Sequence, residues 1–124
     1  MILGTGIDII AVGRMTRAMK NHEGRLEARL FTDAERAYCR ARARPEEHFA
    51  ARFAAKEAVL KALGVPSGLS WHELEVVNEV GGAPRIVLHG LAATAAERAG
   101  VRKLHLSLSH SDGNAVAMVI AEAA

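Results

Sequence analysis

Glu57 and Lys61 stand four residues apart inside the run Arg52-Phe53-Ala54-Ala55-Lys56-Glu57-Ala58-Val59-Leu60-Lys61-Ala62-Leu63-Gly64. Four residues is a little over one helical turn, so the carboxylate and the ammonium stack on one face. Ala50, Ala54 and Ala58 line that face. With so little bulk beside it, the pair suits an anion bound through a metal. An exposed intrahelical ion pair, worth a few tenths of a kcal/mol, is the plainer alternative. Lys56 projects into the arc of Phe49, Phe53, Leu60 and Leu63, the expected core-facing stripe. Either its stem lies along the core with its head in water, or it is a cation aimed at a buried or bound anion. Asp8 closes an apolar run, where an ionised carboxylate needs a partner or a metal. Capping the helix that follows is the other use for it.

The elements that must position these groups follow from pattern. Residues 2–10 predict a β-strand with Gly4, Gly6 and Asp8 on one face and Thr5, Ile7 and Ile9 on the other. Two glycines on one strand face mark close approach by something else. Residues 13–30 predict helix broken around Asn21–Gly24. Thr32 and Glu35 offer a capping box for a helix towards Arg40, and Arg42, Arg44 and Pro45 connect it to the long helix that Gly64 stops. Residues 73–79 and 85–89 predict two strands, Gly90–Gly100 a short helix, and residues 103–110 and 115–121 a hairpin turning at Asp112-Gly113. Leu104, Leu106 and Leu108 share one strand face; His105, Ser107 and Ser109 share the other, which could simply be the wet side of a half-buried sheet. His110, just past that row, could serve only to end the strand or could take part in the chemistry.

The chain of 124 residues predicts a single domain over 1–124. Only five residues are Phe, Trp or Tyr, so burial per residue is modest and oligomerisation is a reasonable way to cover more surface. Charge is uneven: residues 1–61 hold twelve Lys and Arg against eight Asp and Glu, and residues 62–124 hold four against six. A basic half implies an acidic or phosphorylated partner. The arginines of residues 14–29 have no aromatics among them, which argues against a single-stranded nucleic-acid platform. The single cysteine, Cys39, excludes an internal disulfide and fits a reducing cytoplasmic setting. No signal peptide or membrane span is expected. No HxxxH, CxxC, GxGxxG or P-loop pattern occurs.

In order, the chain carries Gly4-x-Gly6-Ile7-Asp8-Ile9, then Arg14, then Arg25 to Glu35 with Arg29, Leu30, Phe31 and Thr32 between. The Arg52–Gly64 run and His105-Leu106-Ser107-Leu108-Ser109-His110 complete the series. The whole resembles the holo-acyl-carrier-protein synthases, the small bacterial 4′-phosphopantetheinyl transferases. The resemblance implies an α+β fold with a mostly antiparallel sheet packed on a long central helix. It also implies transfer of 4′-phosphopantetheine from coenzyme A to a serine of apo acyl carrier protein in fatty acid biosynthesis, releasing adenosine 3′,5′-bisphosphate. By the same resemblance Mg²⁺ falls to Asp8 and Glu57, and catalysis to Glu57 and Lys61. Coenzyme A falls to Arg44, Arg52, Lys61 and His105, and the acidic carrier to Arg14, Arg25 and Arg29. A homotrimer with clefts between subunits is implied as well, with no nucleic acid or membrane as partner. Two positions depart from the family pattern: Ala83 stands before Pro84 where a basic residue is usual, and Ser111 follows His110. A non-catalytic nucleic-acid module would explain the arginines but leave Asp8, Glu57 and Lys61 without purpose.

Overall fold

The computed structural model describes residues 1–124. It runs β1 (Ile2–Ala11), α1 (Val12–Asn21), α2 (Arg25–Leu30), α3 (Asp33–Arg40) and α4 (Pro45–Ala62). A 3-10 turn at Trp71–Glu73 follows, then β2 (Leu74–Asn78), β3 (Pro84–Leu88), α5 (Gly90–Arg98), β4 (Lys103–Ser111) and β5 (Asn114–Glu122). All pairing is antiparallel: one sheet in the order β1-β5-β4, and a β2-β3 hairpin. The fold is therefore α+β, built around α4.

α4 starts at Pro45, whose fixed φ suits the first helical position. It is buried almost all round: Phe49, Ala50, Ala51, Ala54, Ala55, Ala58 and Val59 are all inside. The expected apolar stripe is only part of this surface, since Phe53, Leu60 and Leu63 are half-buried. The alanine face is not bare, contrary to the expectation from spacing. β1 lies directly on it, and a Cβ added at Gly4 or Gly6 would collide with the carbonyl oxygens of Ala62 or Ala58. Small residues on both partners let strand and helix backbones touch. β5 continues the same packing with Ala115, Ala117, Val119 and Ala121, and β4 adds Leu104, Leu106 and Leu108.

Lys56 is fully buried rather than snorkelling. Its ammonium donates to Glu35 Oε1 at 2.8 Å and to Trp71 O at 2.9 Å. Burial pushes the Lys56 pKa down, and the Glu35 carboxylate opposes that. Glu35 also accepts from the Thr32 and Val76 amides. The capping box read from sequence is thus also the anion that α4 needs, joining α3, α4 and β2. Removing one partner of such a buried pair costs about 3–5 kcal/mol. No helix is long and apolar enough to cross a membrane.

Candidate active site

Strand alternation carries Asp8 over α4 two residues beyond Gly6, on the same helix-facing side. There Lys61 Nζ donates to Ile7 O at 2.7 Å and to Asp8 Oδ1 at 3.3 Å. Glu57 precedes Lys61 by one turn and is half-buried. Burial raises its carboxyl pKa above the usual value, the Asp8 charge raises it further, and Lys61 pulls it back. The three groups expected to do chemistry converge, although 49 residues of chain separate Asp8 from Glu57.

They border a hollow of about 600 Å³ lined by Ile10, Met15, Leu26, Phe53 and Trp71, with Arg14 and Arg29 also on its wall. Arg25 is exposed and does not line it. No three His, Cys, Asp or Glu side chains cluster so as to hold a metal by themselves. The donor set is two carboxylates, all oxygen, with a like-charge conflict that a cation would relieve. That matches Mg²⁺, which takes one or two carboxylates and fills its octahedron with phosphate and water oxygens.

The residues expected to hold coenzyme A do not gather there. Arg52 and Lys61 are nine residues apart on α4, half a revolution around the helix and on the order of 13 Å along it. Arg52 lines a second hollow, of about 370 Å³, with Tyr38, His48, Asn78, Pro84 and His110. His105 is absent from it: β4 alternation puts His105 on the outer sheet face, where its Nε2 lies 2.9 Å from Glu122 Oε1. The histidine that shares a hollow with Arg52 is His110, which also borders a neighbouring depression with Arg44 and Glu47. His110 falls in step with Leu104, Leu106 and Leu108, so strand parity carries the signal that it faces α4. Arg44 itself is exposed, its guanidinium 3.5 Å from Glu47.

A central helix clothed by a β1-β5-β4 sheet carries an acid–acid–lysine constellation at the β1/α4 seam, an arrangement suited to group transfer from a phosphorylated substrate. The chain belongs to the 4′-phosphopantetheinyl transferase superfamily, whose model matches residues 4–119. It is 53% identical to the holo-[acyl-carrier-protein] synthase of Anaeromyxobacter dehalogenans over 98% of this chain and 97% of that one. It also resembles the crystal structure of the Neisseria meningitidis holo-[acyl-carrier-protein] synthase. There the TM-score is 0.88 and the identity 29%, covering 98% of this chain and 99% of that one. The Helicobacter pylori synthase in complex with coenzyme A gives a TM-score of 0.83 at 28% identity, covering 95% and 99%.

Proposed function

We propose that this chain is a Mg²⁺-dependent holo-[acyl-carrier-protein] synthase. It moves the 4′-phosphopantetheine arm of coenzyme A onto a serine hydroxyl of apo acyl carrier protein, in the cytosol, for fatty acid synthesis. The observation that carries the reading is the convergence of Asp8, Glu57 and Lys61 at one end of an apolar hollow flanked by Arg14 and Arg29. The full-length similarity to synthases, one of them solved with coenzyme A, supports it.

The serine oxygen attacks the phosphorus that bears the pantetheine arm, and the bond to the adenosine bisphosphate phosphate breaks. Glu57 takes the serine proton directly or through a water. Lys61 uses two of its three N–H donors on β1, leaving one for the charge that develops on the departing phosphate. Asp8 and Glu57 would hold the Mg²⁺, whose chemistry is to polarise the pyrophosphate. Phosphoryl transfer asks for little beyond such positioning and charge stabilisation.

The opposite placement of Arg52 and Lys61 supports a site shared between subunits. The 3′-phosphate and pyrophosphate of coenzyme A sit on one ribose, too close together to reach both sides of α4. A second copy can set its Arg52 and His110 beside this copy's Lys61. The surface for assembly is available: Ile7, Ile9 and Met118, 61%, 64% and 43% exposed, share the outer sheet face. A homotrimer built on that face is part of the proposal. Incubating the protein with coenzyme A, Mg²⁺ and apo carrier, then weighing the carrier, tests the activity. A carrier left unmodified would overturn it.

A further inference from the structure

Tyr38, near the end of α3, has two guanidiniums against its ring. The Arg52 Cζ lies 4.1 Å from its ring centroid and the Arg42 Cζ 4.4 Å. The two arginines differ in circumstance, since Arg42 is exposed and Arg52 is 2% exposed. A buried guanidinium is normally paired with a carboxylate, because an uncompensated interior charge is costly. Arg52 has no such partner. Its one hydrogen bond goes to the neutral Asn78 Oδ1, and Asn78 is itself fixed by donating to Gly82 O at 2.9 Å. The Arg52 Nε is buried with no partner at all.

The hollow that Arg52 lines is also bordered by His48 and His110. The His48 pKa is pushed down by burial, and further by the positive charge of Arg52, His110 and Arg42. The carboxylate beside this hollow, Glu47, lies 3.7 Å from His110 Nδ1 and makes no ion pair with Arg52, so the Arg52 guanidinium is left without a counter-ion. Asn78 restrains only one corner of the Arg52 fork. The other restraint is the flat ring of Tyr38, against which a planar guanidinium stacks well. The Tyr38 hydroxyl makes no hydrogen bond, so the ring alone does this work.

We propose that Tyr38 is a positioning residue for the transfer reaction: by stacking, it holds the Arg52 guanidinium facing the hollow, where the 3′-phosphate of coenzyme A docks on it. This rests on the reading of Arg52 as a coenzyme A contact and adds the residue that aims it.

The test is steady-state kinetics of Tyr38→Phe, Tyr38→Leu and Arg52→Met at saturating apo carrier. Each is run with coenzyme A and with 3′-dephospho-coenzyme A as donor. Tyr38→Phe keeps the stack and should match wild type. Tyr38→Leu should raise KM for coenzyme A roughly three- to tenfold, the scale of a lost cation–ring contact. It should leave kcat, the KM for carrier and the KM for the dephospho donor unchanged. Tyr38→Met, which keeps bulk without a ring, replaces Tyr38→Leu should that protein not fold. A KM shift equal for both donors, or no shift while Arg52→Met shows one, overturns the positioning role. An unchanged KM in Arg52→Met overturns the reading of Arg52 itself, and the proposal with it.

Discussion

The Lys61 ammonium lies 3.3 Å from the Asp8 carboxylate and 2.7 Å from the Ile7 carbonyl, so one side chain of α4 grips β1 through two acceptors. This contact closes the seam opened by Gly4 and Gly6, which have no side chains to interpose. Position and charge come from the same packing event: the strand drops onto alanines, and its first side chain with reach is the acid.

Glu57→Gln should lower kcat by roughly 10²–10⁴-fold, the range for a lost general base. Asp8→Asn should raise the Mg²⁺ concentration needed for half-maximal rate. Circular dichroism should show both proteins folded, because neither residue is in the core. Undiminished wild-type turnover in excess chelator would remove Mg²⁺ from the mechanism.

Gly6→Ala tests the seam. The added Cβ meets the Ala58 carbonyl oxygen, a backbone atom of a buried helix that cannot step aside. Overpacking of this kind costs about 1–3 kcal/mol, occasionally more. The variant should show a lower urea midpoint and lose transfer, because Asp8 rides on the displaced strand. A variant with wild-type stability would mean that strand and helix do not touch there.

Much of this site was legible in the sequence because its signals are local. The spacing of Glu57 and Lys61, the glycine face ending in Asp8, and the alternation of Leu104, Leu106 and Leu108 all depend on helix or strand period. What failed was long-range. Nothing within α4 reveals that Ala58 and Ala62 are covered by β1, although Gly4 and Gly6 announce that something approaches. Glu35 reads as a cap from its neighbours, and only the tertiary fold makes it the counter-ion of Lys56. The histidines are the exception, since a local signal, strand parity, sends His105 outward and turns His110 in with Leu104, Leu106 and Leu108.

The Cys39 thiol gives a pH test. Burial pushes its pKa from an ordinary 9.0 to about 11, with Arg52 and Arg40 opposing and Glu35 and Glu27 assisting. A folded-state pKa above the unfolded one favours the native state fully below pH 9.0, and that contribution is lost as pH rises through about 11. In urea titrations, the stability of wild type relative to Cys39→Ala should therefore fall by about 2 kcal/mol between those limits. A pH-independent difference would show that the thiol ionises as easily folded as unfolded.

Ile7→Glu and Met118→Glu probe the outer sheet face. These residues pair across β1 and β5, so two acids set side by side should repel a second copy. Analytical ultracentrifugation should find a trimer for wild type and a folded monomer for the double variant. Transfer should fall with assembly, since Arg52 and Lys61 of one chain face opposite sides of α4. A fully active monomer would contradict the shared site.

The arginines of the Asp8–Glu57–Lys61 hollow offer a way to tell the two substrates apart. Arg14 and Arg29 line it beside Asp8, Glu57 and Lys61, while Arg52 and His110 lie in the other hollow. Exposed charge acts on encounter with an acidic partner and is screened over about 8–10 Å at moderate salt. Replacing Arg14 and Arg29 with glutamate should raise the KM for carrier strongly, about tenfold for each 1.4 kcal/mol of attraction lost. The KM for coenzyme A should hardly move. Added salt should weaken carrier binding by wild type and do much less to the variant, whose attraction is already gone. Saturation curves in each substrate, at low and moderate ionic strength, decide the matter. A selective loss of coenzyme A affinity would place these arginines on the nucleotide and exchange the duties of the two hollows.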